Sequence, residues 1–163
     1  MTTMQIRSLQ AFGRQVVADV VLASRDLVLL RAINDTLDWI DVEAGRVRQL
    51  DSDAERFIQT IKSAKAPIVS DIDLVSLFDG ARDAVGEAHA VLVMKHKCAM
   101  DDPVLLDEDG IVDAYADLIN GVAILHNRLN TLSWVIGEHN ADFDKPTGKA
   151  YTDVDAMFAD MVA

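Results

Sequence analysis

Four histidines and a single cysteine offer this 163-residue chain its most versatile chemistry. His89 and His96 are seven residues apart, so on a helix they share a face, and Cys98 follows closely. A structural zinc site wants four ligands, and this group supplies at most three, with no Cys-x2-Cys or His-x3-His pair. Surface histidines beside a half-buried thiol are the ordinary reading. Di-iron bundles use Glu-x-x-His, which does not occur here. No metal site and no cofactor are therefore expected. His126, Asn130 and Trp134 stand one helical turn apart, with Tyr115 near the same row. Such a polar stripe either lines a small-ligand pocket between helices or fixes the register of a bundle.

A second set is acidic: Asp101, Asp102, Asp107, Glu108 and Asp109, around Pro103. It evokes a calcium loop, but the alignment fails. Setting Gly110 at the sixth position puts Leu105 at the first and Ala116 at the twelfth, where carboxylates are needed. Asp109, Asp113 and Asp117 recur one turn apart and suit the start of a helix, where negative charge meets the positive end of the dipole.

Arg82 and His89 are separated by six residues on one expected helix, with Asp83 directly after the arginine. This pair resembles the Arg-(x4–6)-His motif of HEPN-type helical ribonucleases, which are dimeric bundles of similar size. The resemblance covers two residues. It implies phosphodiester cleavage by Arg82 and His89 across a dimer interface. Against RNA binding stands a formal net charge of −12. The chain has no Gly-rich phosphate loop, no Gly-x-Ser-x-Gly elbow and no His-Glu-x-x-His. An enzyme is thus not the leading expectation.

The elements that must position these residues are helices, because the apolar period is three-to-four throughout and never alternating. The spacing predicts an all-α antiparallel bundle of four long helices, over about 4–22, 25–50, 71–97 and 110–139. Ser24 is the candidate cap of the second and Ser70 of the third. Asp51–Ser52–Asp53 interrupts the second pattern, and Ser52 with Glu55 reads as a capping box opening a short helix over about 53–64. The last long helix has two neighbouring rows. Ile111, Tyr115, Leu118, Val122, Leu125, Leu129, Leu132 and Ile136 form the main seam; the row one step around carries His126, Asn130 and Trp134. A helix with two seams touches more than one partner, so it is the central element, and it also suits a homodimer.

Residues 1–140 then form the bundle domain and 141–163 a linker with an amphipathic acidic tail, helical over about 153–161. Val154, Met157, Phe158 and Met161 share one side of it, a pattern suited to docking in a groove. The charge is uneven: residues 1–97 are near balance at −2, whereas 98–163 carry −10. Half the residues are apolar, too many for a disordered chain, yet no run is long enough for a membrane span. One cysteine permits no internal disulfide, and the N-terminus lacks a signal-peptide core, so a reducing cytoplasm is the expected compartment.

The expected function is a non-enzymatic interaction module that binds a basic protein partner. It would do so through Val154, Met157, Phe158 and Met161 and the acidic set Asp101, Asp102, Asp107, Glu108 and Asp109. Antitoxins, immunity proteins and nucleic-acid-mimicking inhibitors share this small, acidic profile. The alternatives are the HEPN-like ribonuclease and a small-ligand bundle lined by His126, Asn130 and Trp134.

Overall fold

Apolar residues at three- and four-residue intervals wind into stripes, and burying those stripes against one another makes the fold. The computed structural model describes residues 1–29, 33–101 and 110–144, the side chains of 20–29, 33–37, 99 and 144 excepted. These hold four helices and no strand: α1 (Thr3–Leu29), α2 (Ile33–Ser63), α3 (Leu74–Asp101) and α4 (Ile111–Asp144). The all-α bundle of four long helices is as the periodicity predicts.

Consecutive helices run antiparallel. Phe12 of α1 stacks on Phe57 of α2 with ring centroids 5.3 Å apart, and in α3 and α4 Arg82 meets Asn130 while Asp79 meets Ser133. Other neighbours run parallel. Gln10 reaches Ser70 and Asp71, while Gly13, further along α1, lies against Leu77 and Phe78. Likewise Gly121 faces Val47, and Arg128 reaches Asp51 and Glu55. α4 therefore sits between α2 and α3 as their shared neighbour, and α1 packs chiefly on α3.

The α4 seam is buried along its whole length, from Ile111 to Ile136, as is Leu74–Phe78–Ala81–Val85–Ala88–Leu92 of α3. Each large side chain taken fully out of water here stabilises by roughly 1.5–3 kcal/mol. Leu9, Phe12 and Val16 complete the core from α1, and Ile40, Val47, Leu50, Ile58 and Ile61 from α2.

Several boundaries differ from those read in the sequence. The segments expected as helices over 25–50 and 53–64 are one helix, because the buried stripe runs unbroken through Leu50, Ala54, Ile58 and Ile61. The carboxylates that suggested a break are used on its flank. Asp53 accepts from Gln49 and Arg56, and Asp51 and Glu55 hold Arg128 of α4, so Glu55 is not free to close a capping box with Ser52. α1 passes through Ser24 rather than stopping before it, since no Gly or Pro lies between Gly13 and Gly45. It opens instead on a capping box: Gln5 N–H donates to Thr2 Oγ1, and Thr2 N–H to Gln5 Oε1.

α3 starts at Leu74, not 71, because Asp73 is its cap, accepting from the Ser76 N–H and hydroxyl. These hydrogen bonds hold the Asp73 carboxyl below its ordinary range. The expected cap Ser70 takes Ile72 N–H and Gln10 instead, tying the loop to α1. α3 also continues through Lys95–Lys97 to Asp101. Gly110, at φ +86°, turns the chain into α4 where a side chain would be strained, and its carbonyl accepts from Ala114 N–H.

α4 runs past the expected end at 139 to Asp144, so residues 141–144 are helical. His139 and Asn140, expected to end it, reach sideways to the loop between α2 and α3. Asn140 accepts from Ile68 N–H at 2.8 Å and donates to Ile68 O at 3.2 Å, and His139 Nε2 contacts Ala66 O at 2.8 Å. The expected tail helix over 153–161 lies outside the described residues.

Candidate functional site

One step around from the buried seams, α3 and α4 present a second pair of rows that meet at the surface. On α3 these are Val75, Asp79, Arg82, Gly86, His89 and Val93; on α4 they include Ile119, Ala123, His126, Asn130, Ser133 and Gly137. Each is half-buried, apart from exposed Asn130 and Val93 and buried Ser133. The two sets singled out separately in the sequence, Arg82 with His89 and His126 with Asn130 and Trp134, thus lie along one groove between α3 and α4.

At one end the groove opens into a notch of about 320 Å³ lined by Val75, Asp79, Arg82, Asn130, Ser133, Trp134, Gly137 and Glu138. Arg82 is clamped there. Its Nη1 donates to Asn130 Oδ1 at 2.9 Å and to Asp79 Oδ1 at 3.3 Å, and its Nη2 pairs with Asp83 at 3.1 Å. Asp79 also accepts from the Ser133 hydroxyl at 2.6 Å. Two carboxylates and an amide therefore hold the guanidinium, and an incoming phosphate would have to compete with them. Glu138, at the far end of the notch, makes no hydrogen bond or ion pair among the described residues. Trp134, between the two, is 63% exposed.

One turn further along, His89 and His126 line a shallower recess of about 150 Å³ with Gly86, Ala123 and Asn127. The His126 ring lies over Gly86 at 3.5 Å from where a Cβ would sit, which is ordinary contact. Beyond it, His96 meets Tyr115 edge-on at 6.4 Å between centroids, and burial pushes the Tyr115 phenol up. No group of three or more potential metal-ligating side chains stands together among the described residues.

Along the rim of the groove and beyond it, the outward rows are solvent-facing throughout. α3 shows Asp83, Glu87, Ala90, Met94 and Lys97; α4 shows Asp113, Asp117, Asn120, Ile124, Asn127, Thr131, Trp134 and Glu138. Met94 is 68% and Ile124 52% exposed. Large apolar side chains therefore stand among an excess of carboxylates on this face. Asp101, the end of α3, is exposed too. Asp102, Asp107, Glu108, Asp109, Val154, Met157, Phe158 and Met161 lie outside the described residues. A third concavity, of about 650 Å³, lies between the start of α1 and the end of α2 and holds none of the residues read as functional. No helix of the described residues is long and apolar enough to cross a membrane.

Sequence reasoning missed Asp79, Ser133 and Glu138 as site residues. Asp79–Arg82 has the spacing of a helical ion pair and Trp134–Glu138 that of one-turn neighbours, so the local signal was present. What brings them together is the register of α3 on α4.

Comparison with protein-family models, with curated proteins and with solved structures finds no match for this chain.

Proposed function

We propose that this protein is a non-enzymatic interaction module whose α3/α4 face docks a basic protein partner, as antitoxins and immunity proteins dock theirs. One observation carries the reading: Trp134, Ile124 and Met94 stand exposed on a face bordered by Asp83, Glu87, Asp113, Asp117 and Glu138. Exposed aromatic and Met side chains supply contact area, and the carboxylates steer and select a partner of opposite sign. Asp101, with Asp102, Asp107, Glu108 and Asp109 after it in the sequence, extends the acidic character, and Val154, Met157, Phe158 and Met161 add a second apolar contact in the same reading. The protein acts in the cytoplasm and as a homodimer in this proposal, with no cofactor.

The test places a photo-crosslinking amino acid at Ile124 in cells that make the protein. Crosslinking to a basic protein is expected, weakened by salt and lost when Asp83, Glu87 and Asp117 are changed to Lys. Crosslinks to the chain's own copies alone, or association indifferent to those changes, would overturn the reading.

A second reading rests on His89 and His126 sharing one recess. Two imidazoles can act as general base and general acid in phosphodiester cleavage, and Arg82 lies along the same groove. HEPN-like ribonuclease activity would then vanish in Arg82→Ala, His89→Ala and His126→Ala. Wild-type activity in these variants ends that reading.

A further inference from the structure

We infer that the notch at Trp134 and Glu138 receives a single arginine side chain of the basic partner. The inference rests on the docking role proposed above and goes on to name the group recognised. Three features of the notch point to a guanidinium. The first is the indole of Trp134, which is 63% exposed although it lines a concavity. An indole face attracts a planar cation and stacks on it, and the gain rises as water is excluded. The second is Glu138, one helical turn after Trp134 and lining the same notch, whose carboxylate has no partner among the described residues. A carboxylate takes an arginine through paired N–H donors, which a lysine ammonium cannot reproduce.

The third is the position of the cation already there. Arg82 is held by Asn130, eight residues and about 12 Å of helix away from Glu138. It is further matched by Asp79 and Asp83 and makes no ion pair with Glu138 among the described residues. Val75 and Gly137 line the notch next to each other and give it an apolar patch suited to the methylenes of an arginine stem. Size agrees as well: about 320 Å³ holds one long side chain with some water, and is small for a drug-sized ligand.

The experiment uses the full chain, labelled with nitrogen-15, and follows the indole N–H resonance of Trp134. Trp39→Phe assigns it by removing the other indole. N-acetyl-argininamide is the probe and N-acetyl-citrullinamide its uncharged isostere. A saturable shift with the arginine compound and none with the citrulline one is expected. Glu138→Gln is expected to weaken the binding about fivefold or more, and added salt to weaken it further. Glu138 is exposed, so Glu138→Gln keeps the wild-type melting curve; Trp39 packs against the core, and Trp39→Phe serves the assignment alone. No saturable shift, an equal response to citrullinamide, or an unchanged affinity in Glu138→Gln would each overturn the inference. The crosslink at Ile124 separates the two claims: if it persists with basic proteins while the titration fails, the docking face stands and the arginine notch falls.

Discussion

A glycine inside a helix costs stability, yet what surrounds it decides whether alanine is better. Gly13 and Gly80 show both outcomes. A Cβ at Gly80 would meet nothing within 4 Å, so Gly80→Ala should stabilise by roughly 0.5–1 kcal/mol from helix propensity alone. A Cβ at Gly13 would stand 2.9 Å from Leu77 Cδ2 and 3.3 Å from the Phe78 ring, which is fully buried. Gly13→Ala should therefore destabilise, by about 1 kcal/mol after the propensity gain is counted. Urea unfolding of the two variants against wild type checks the opposite signs.

Asp73 gives a pH signature at the same scale. Its carboxyl is held below its ordinary value of 3.8, so the cap is fully present above that pH and is lost as pH falls through the lower, folded value. The melting temperature of Asp73→Ala should lie below wild type at neutral pH, with the gap closing as the solution is acidified below about pH 4. The candidate site was partly legible here. Arg82, His89, His126, Asn130 and Trp134 stand out as residue types at helical spacing. Their union in one groove is a matter of how two helices slide against each other, which no local spacing encodes.

The seams of α3 and α4 were legible position by position, because a row of apolar residues at three-and-four spacing has only one face to bury. The ends of helices were less so. Asp and Ser favour caps in general, but a helix can also use them on its flank, and only the partner across the interface decides which. Arg128 decides it for α2: its hydrogen bond to Asp51 and its ion pairs with Asp51 and Glu55 raise its own pKa and occupy the side chains that suggested a break. Asp53→Pro tests the continuity directly. After a cap at Ser52 the proline would sit at the tolerated first helical position; inside a continuous helix it should cost about 3 kcal/mol or more. Arg128→Ala should cost about 1 kcal/mol, the upper range for partly exposed pairs, because it leaves two carboxylates unmatched. Chemical denaturation measures both.

For the molecule as a whole, the described core spans Leu9 to Ile136 and draws on all four helices. A chain ending at Asp144 should therefore keep its helical circular dichroism and cooperative melting. If it unfolds instead, residues 145–163 belong to the core and not to a docking segment. The placement of α4 between α2 and α3 has a further consequence, for the order of events during synthesis. Of the three helices encoded before residue 102, α2 and α3 share no extensive contact with each other and meet chiefly through α4. Even the loop joining them is fastened by His139 and Asn140, which lie near the end of α4. Until α4 is made, the parts of the α2 and α3 stripes that face it have nothing to cover them. Uncovered stripes of this kind favour association with other chains, so completion of the core waits on α4.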